Sequence, residues 1–168
     1  MTANDPPPPA RTHRLTLRGE LPEDEAFLFS VYASTRQEEL AMTDWTAEKK
    51  GAFVQSQFKA MRAGYADMFP DGQFSIILLD GQRIGRLVLH RTARELHVVD
   101  MALRPEFCNR GIGHQLMSDI LAEAANTKRK VGLHVLKRNR AIRFYQRFGF
   151  VKVGDEGPYD RMEWGPAD

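Results

Sequence analysis

The sequence predicts a mixed α/β fold on a sheet of about seven strands. Two observations lead there. Three apolar, β-branched runs stand in series between 74 and 103, two of them joined by Asp80-Gly81. Downstream, helix-like and strand-like patterns alternate, and the first of these helices opens on a glycine pair. Strands in series imply an antiparallel meander, and the mixture with helices implies an α/β sheet.

Each element has a local reason. Residues 14–18 alternate charged and apolar side chains, with Leu15 and Leu17 on one side, and read as a short strand. Pro22 suits a first helical turn, and Glu23, Asp24 and Glu25 complement the positive end of the helix dipole. Phe27, Leu28 and Val31 form that helix's apolar face. Thr46 caps a second helix, whose stripe is Val54, Phe58, Met61, Tyr65 and Met68. Pro70-Asp71-Gly72 ends it. Strands follow at 74–79, 84–90 and 95–103, with Asp80-Gly81 as a hairpin turn. Ile112, Leu116, Ile120, Leu121 and Ala124 mark the helix that starts at the glycines. A strand at 131–136 precedes a helix capped by Asn139, lined by Ala141, Ile142, Tyr145 and Phe148 and ended at Gly149. Strands at 150–153 and 159–164 complete the order.

The chain has 168 residues, enough for one core, so residues 13–168 are expected to form a single domain. Residues 1–12 carry Pro6 to Pro9 and are expected to be a flexible, extended tail. A formal net charge of +2 does not argue for nucleic acid or a membrane surface as partner. Lys128, Arg129, Lys130, Lys137, Arg138, Arg140, Arg143 and Arg147 are the residues on which a nucleic-acid reading would rest, and are otherwise a solvated face. Cys108 is the single cysteine, so no internal disulfide forms, which fits a cytoplasmic protein. No apolar run reaches the length of a membrane span, and no secretory signal opens the chain.

Chemistry is legible at residues 103–114, where a strand ends, a short loop follows and a helix starts on Gly111-Ile112-Gly113. The first N–H groups of a helix lack internal partners, and the dipole adds positive charge there. Such a turn can wrap a diphosphate, because glycine lets phosphate approach the backbone. A lone Gly-x-Gly fits a simple tight turn equally well. It is not the longer dinucleotide fingerprint, since position 116 is Leu, and it lacks the Gly-Lys-Ser/Thr of a nucleoside-triphosphate loop.

The wider context resembles the GCN5-related N-acetyltransferase (GNAT) superfamily. Its acetyl-CoA signature runs Gln/Arg-x-x-Gly-x-Gly/Ala after a strand ending in a Val-x-Pro-like stretch. Leu103-Arg104-Pro105 and Arg110-Gly111-Ile112-Gly113 match it. Leu133-His134-Val135 through Asn139, Ala141, Phe144-Tyr145 and Gly149-Phe150 look like the family's second motif. Cys108 departs from the signature's usual Gln or Arg. Counted back from Tyr145, the family's usual Asn position holds Arg138, which leaves Asn139 a helix cap or a cofactor contact.

The resemblance implies a GNAT-like, mostly antiparallel sheet with helices on both faces, and acetyl-CoA as cosubstrate without a metal. It implies cofactor contacts from Met101, Ala102, Leu103, Cys108, Asn109, Arg110, Gly111, Ile112, Gly113, His114, Asn139 and Phe144. It further implies direct attack by a primary amine, on a small molecule or a peptide. His97, or Glu95 on the same strand face, is the candidate base, and Tyr145 is the acid for the leaving thiolate. Packing roles compete for both His97 and Tyr145. The acceptor end is expected around Glu38, Glu39, Asp44 and Trp45, while His90, His114 and His134 read as ordinary histidines. A non-catalytic acyl-CoA-binding module of the same fold is the alternative function, and the resemblance leaves room for a homodimer.

Overall fold

The computed structural model describes residues 13–166. The proline-rich segment 1–12, expected to be a tail, lies outside the described residues. The order is β1 (Leu15–Gly19), α1 (Glu25–Ala41), α2 (Ala47–Met68), β2 (Gln73–Leu79), β3 (Gln82–Arg91) and β4 (Glu95–Leu103). Then come α3 (Ile112–Asn126), β5 (Lys130–Leu136), α4 (Ala141–Arg147), β6 (Val151–Glu156) and β7 (Tyr159–Trp164). The strands form one seven-stranded sheet in the order β1-β2-β3-β4-β5-β7-β6. Every neighbouring pair is antiparallel except β4 and β5.

Helices cover both faces of this sheet. One core gathers Leu96, Val98, Val131, Leu133 and Val135 of the central strands against Leu116, Met117 and Ile120 of α3. The other packs Phe27, Leu28 and Val31 of α1 and Val54 and Phe58 of α2 against Ile76 of β2. Ile76 and Ile77 belong to opposite cores, as the alternation of a strand requires.

The turn chemistry follows residue type. Asp80 and Gly81 both take left-handed φ values, 50° and 82°, which the tight β2–β3 hairpin needs. The Thr46 hydroxyl accepts the Lys49 N–H and caps α2. Four details differ from expectation. β1 spans Leu15–Gly19 rather than 14–18. Pro22–Asp24 is a separate 3-10 turn before α1 rather than its first turn, and Asp24 is fully buried and paired with Arg18 and Arg83. Met68, expected on the apolar stripe of α2, is exposed. Arg140, not Asn139, holds the backbone cap position of α4, while Asn139 Oδ1 accepts the Ala141 N–H at 2.9 Å.

Candidate active site

The parallel pair β4–β5 is short. Its rungs are Glu95–Lys130, Leu96–Val131, His97–Gly132 and Val98–Leu133, after which β4 pairs only with β3 and β5 only with β7. The two strands therefore part, leaving facing edges without ladder partners. β4 runs on toward the glycine turn, so the gap opens at the N-terminus of α3.

Gly111 sits there with φ 80°, left-handed, as the cap residue of α3. Asn109 shares that conformation at φ 59°, which Asn tolerates better than most residues. The first intrahelical bond runs from Gln115 N–H to the Gly111 carbonyl, so the N–H groups of Ile112, Gly113 and His114 are left for another acceptor. A cavity of about 620 Å³ lies against this turn, lined by Leu103, Cys108, Asn109, Gly111, Gly113, His114, Phe144, Arg147 and Phe148. Its volume falls in the range of small-molecule and cofactor sites. Helix donors, an arginine and an aromatic wall in one groove suit a ligand with a phosphate end and an apolar arm.

Seven expected cofactor contacts line this cavity: Leu103, Cys108, Asn109, Gly111, Gly113, His114 and Phe144. The others divide. Arg110 lies over the Phe107 ring. The Ile112 side chain is in the core, leaving only its backbone to the turn. Asn139 serves α4 as described, so its side-chain oxygen is already engaged. Ala102 is a correction: a Cβ on Gly85 of β3 would overlap the Ala102 carbonyl, so that carbonyl faces β3 and not the gap. Arg104 N–H likewise bonds to Ile84 of β3, and alternation turns the backbone of Met101 and Leu103 toward the gap. Arg147 and Phe148 escaped the sequence reading, although their spacing of three and four from Phe144 places them on one helix face.

The base candidates Glu95 and His97 lie on the other face of the sheet, while Tyr145 packs on the α3 side. A bulge between β3 and β4 pairs Val88 with Asp100 but Leu89 with Val98, which leaves Val99 unpaired. Before Val99 the even residues Leu96 and Val98 face α3; after it the odd residues Met101 and Leu103 do. The inversion sets Glu95, His97, Asp100 and Ala102 on the α1–α2 side. Asp100 thereby shares a sheet face with Glu95 and His97, a placement that simple strand periodicity hides.

Asp100 Oδ2 lies 2.6 Å from Arg86 Nη2; the arginine is buried and the carboxylate half-buried. Burial pushes the Asp100 carboxyl up from its ordinary range, against the pull of Arg86. Burial, then the charge of Asp100, also pushes the Tyr145 phenol up, and Tyr65 on α2 is raised by the same two causes. Tyr145 therefore keeps its proton through neutral pH, and it packs against Phe150 at a centroid separation of 5.7 Å.

His97 is buried. Its Nδ1 stands 2.8 Å from Glu95 Oε1, and the Phe69 ring stacks on it. Burial lowers the imidazole's pKa, while Glu95 opposes that shift. A Cβ on Gly132, opposite His97, would overlap the Glu95 carboxylate and displace it from the imidazole. A second cavity, about 270 Å³, is lined by Phe69, His90, Thr92, Glu95, His97, His134 and Arg161. His134, which the sequence gives as an ordinary histidine, lines this cavity beside His97. In the expected acceptor region Glu39 is bridged to Arg36, and Trp45 packs on Phe53 beneath Lys49. Among the described residues no group of three or more metal-ligating side chains is assembled, and no helix is long and apolar enough to cross a membrane.

The architecture is a mixed α/β fold on a seven-stranded sheet whose one parallel pair splays toward a glycine turn. Residues 70–152 match the family model described as "Acetyltransferase (GNAT) domain". The chain belongs to the GNAT superfamily. Its fold is similar to PaiA N-acetyltransferase from Thermoplasma acidophilum in complex with coenzyme A, with TM-score 0.67, 18% identity, and coverage of 90% of this chain and 99% of that one. It is also similar to an acetyltransferase from Thermus thermophilus, with TM-score 0.65, 20% identity, and coverage of 90% and 96%. An acetyltransferase from Streptococcus agalactiae follows with TM-score 0.62, 15% identity, and coverage of 93% and 99%. At these identities the likeness is one of fold. No curated protein sequence matches the chain.

Proposed function

We propose that this protein transfers an acetyl group from acetyl-CoA to a primary amine by direct attack. The observation that carries the reading is the parting of β4 and β5 beyond Val98 and Leu133, at whose mouth lies a left-handed glycine turn with free helix donors.

In this reading the N–H groups of Ile112, Gly113 and His114 receive the diphosphate, with Arg147 and Arg110 beside them. The backbone edge of Met101 and Leu103 aligns the pantetheine arm, and Phe144 and Phe148 cover it. A backbone donor on that edge steadies the oxyanion that forms when the amine adds to the thioester. The acceptor approaches from the α1–α2 side. An alkylammonium has a pKa near that of Lys, roughly 10, and must lose a proton before it attacks. Glu95 and His97 stand on that side to take it. Tyr145, still protonated, supplies a donor to the departing sulfur.

Titration calorimetry with acetyl-CoA tests the first half, with free adenosine as the control. Binding of acetyl-CoA but not adenosine supports the site, and a panel of amines scored by thiol release then tests transfer. Binding without release for any amine favours the non-catalytic acyl-CoA-binding module. No binding at high protein concentration overturns both readings.

A further inference from the structure

Three side-chain contacts run in line from β4 across β5 to β6. Glu95 Oε1 meets His97 Nδ1 at 2.8 Å, His97 Nε2 meets His134 Nδ1 at 3.3 Å, and His134 Nε2 meets Glu156 Oε2 at 2.7 Å. Both ends are carboxylates, which when ionised only accept hydrogen bonds. Each outer contact therefore needs a proton on the imidazole nitrogen. The middle contact needs one proton between two nitrogens. Three protons on two rings make one imidazole and one imidazolium. With two protons, one contact lacks its hydrogen; with four, the middle contact sets two N–H groups head to head. The line is complete only when the two rings together carry one positive charge.

We propose that His97 and His134 act as one proton-holding pair, which takes up the proton that an acceptor ammonium gives up and releases it to water beside Glu156. This role rests on the acetyl-transfer reading. The position suits it: His97 is in the last rung but one of the parallel pair, and His134 is the first residue of β5 beyond the last rung. Exposure rises along the line, from 11% for the His97 side chain through 31% for His134 to 55% for Glu156.

The surroundings favour a single shared charge. Arg161 of β7 reaches Glu95 at 3.0 Å and Glu163 at 3.1 Å, and Lys130 of β5 also meets Glu163. Phe69, after α2, covers His97 and also contacts His90 of β3, which is itself paired with Asp71. Glu95, Glu156 and Glu163 thus face Arg161, Lys130 and the two rings. A second proton on the pair would meet both Arg161 and the first imidazolium.

The chemistry balances. An ammonium and a thioester yield an amide, a thiol and one proton. The ammonium N–H bond breaks with its electron pair left on nitrogen, and the proton joins the pair. The lone pair forms the N–C bond and the C–S bond breaks. Tyr145 lends its phenol proton to the thiolate and regains one from the nitrogen. The pair then gives up its proton to water, which accounts for the one released.

Imidazole-carbon NMR titration of the free protein tests the pair without any substrate. In the unmodified chain both rings are expected to shift together, as one coupled uptake of a single proton. In His134→Asn, His97 is expected to titrate at a pH moved by about half a unit or more. Two independent curves, each unmoved when its partner is replaced, would overturn the pair.

The relay role is read from His134→Gly, with folding checked by the His97 resonances. The turnover number is expected to fall about tenfold or more, with the KM for acetyl-CoA unchanged. Imidazole in the buffer should restore it, while pyrazole, of the same size and nearly non-basic, should not. Restoration by both, or by neither, overturns the relay. Coupled rings in a protein that acetylates no amine would overturn the acetyl-transfer reading and the relay with it, and leave the pair standing.

Discussion

Val98 and Leu133 are the last residues that β4 and β5 share, and beyond them each strand keeps only its outer neighbour. The edge exposed in this way is selective along its length. Ala102 turns its carbonyl to Gly85 of β3, so Leu103 presents its backbone to the gap. Hydrogen exchange should follow that alternation. The Ala102 amide is expected to be protected in the free protein. The Leu103 amide should exchange faster and slow on addition of acetyl-CoA. Equal exchange at both, unchanged by acetyl-CoA, would remove the proposed strand-like docking of the arm.

Tyr145 combines a buried phenol with the nearby charge of Asp100, which keeps it protonated. Replacement by Phe keeps the ring contact with Phe150 and removes only the hydroxyl. Turnover is expected to fall about a hundredfold with acetyl-CoA affinity unchanged. Calorimetry beside steady-state kinetics separates this from packing, which would lower both together.

Cys108 lines the larger cavity, and its Sγ lies 3.5 Å from the Arg104 carbonyl. A glutamine there carries an amide able to reach a ligand in the turn. Cys108→Gln is expected to tighten acetyl-CoA binding about fivefold, the worth of one neutral hydrogen bond of about 1 kcal/mol. Unchanged affinity by calorimetry would mean that the backbone alone holds the diphosphate.

Asp24 is fully buried, with Arg18 at 2.7 Å and Arg83 at 3.1 Å. The hydrogen bond from Arg18 holds its carboxyl far below the ordinary range, with the Leu21 N–H and Arg83 adding to it. A depressed folded-state pKa stabilises the fold above the unfolded value, near 3.9, and that contribution is lost as pH falls below it. Asp24→Asn should cost about 2 kcal/mol at neutral pH, toward the low side for a buried pair because both arginines are partly exposed. Its stability should also vary less below pH 4 than that of the unmodified chain. Urea unfolding at several pH values checks both.

Arg138 holds φ 67°, a left-handed conformation unfavourable for a long side chain. It occupies the position at which the family usually carries Asn, a residue at ease there. Arg138→Asn is expected to stabilise the protein by about 0.5 kcal/mol, read from the urea midpoint at constant slope. A fall in stability would show that the Arg138 side chain contributes more than its backbone costs.

Much of this architecture was legible because it is local. The Asp80-Gly81 hairpin, the Thr46 cap, the glycine turn at 111 and the strand Glu95–Leu103 each follow from residues within a few positions of one another. The cofactor-side candidates were legible for the same reason, since one turn holds most of them. Asp100 was hidden by a single unpaired residue, Val99, because strand periodicity inverts silently at a bulge. His134 was hidden because its partners, His97 and Glu156, are 37 and 22 residues away. Ala102 was misplaced because the choice between two strand edges depends on the neighbouring ladder, not on the side chain.

The sequence by itself determined the element order, the glycine turn and the family to which the chain belongs, since these rest on short-range propensity and on motif spacing. Only the tertiary structure decided where β4 and β5 part, which backbone edge is left free, and which titratable groups meet across strands. Those depend on register, and register is set by long-range pairing and by bulges that leave no mark in the local pattern of residues.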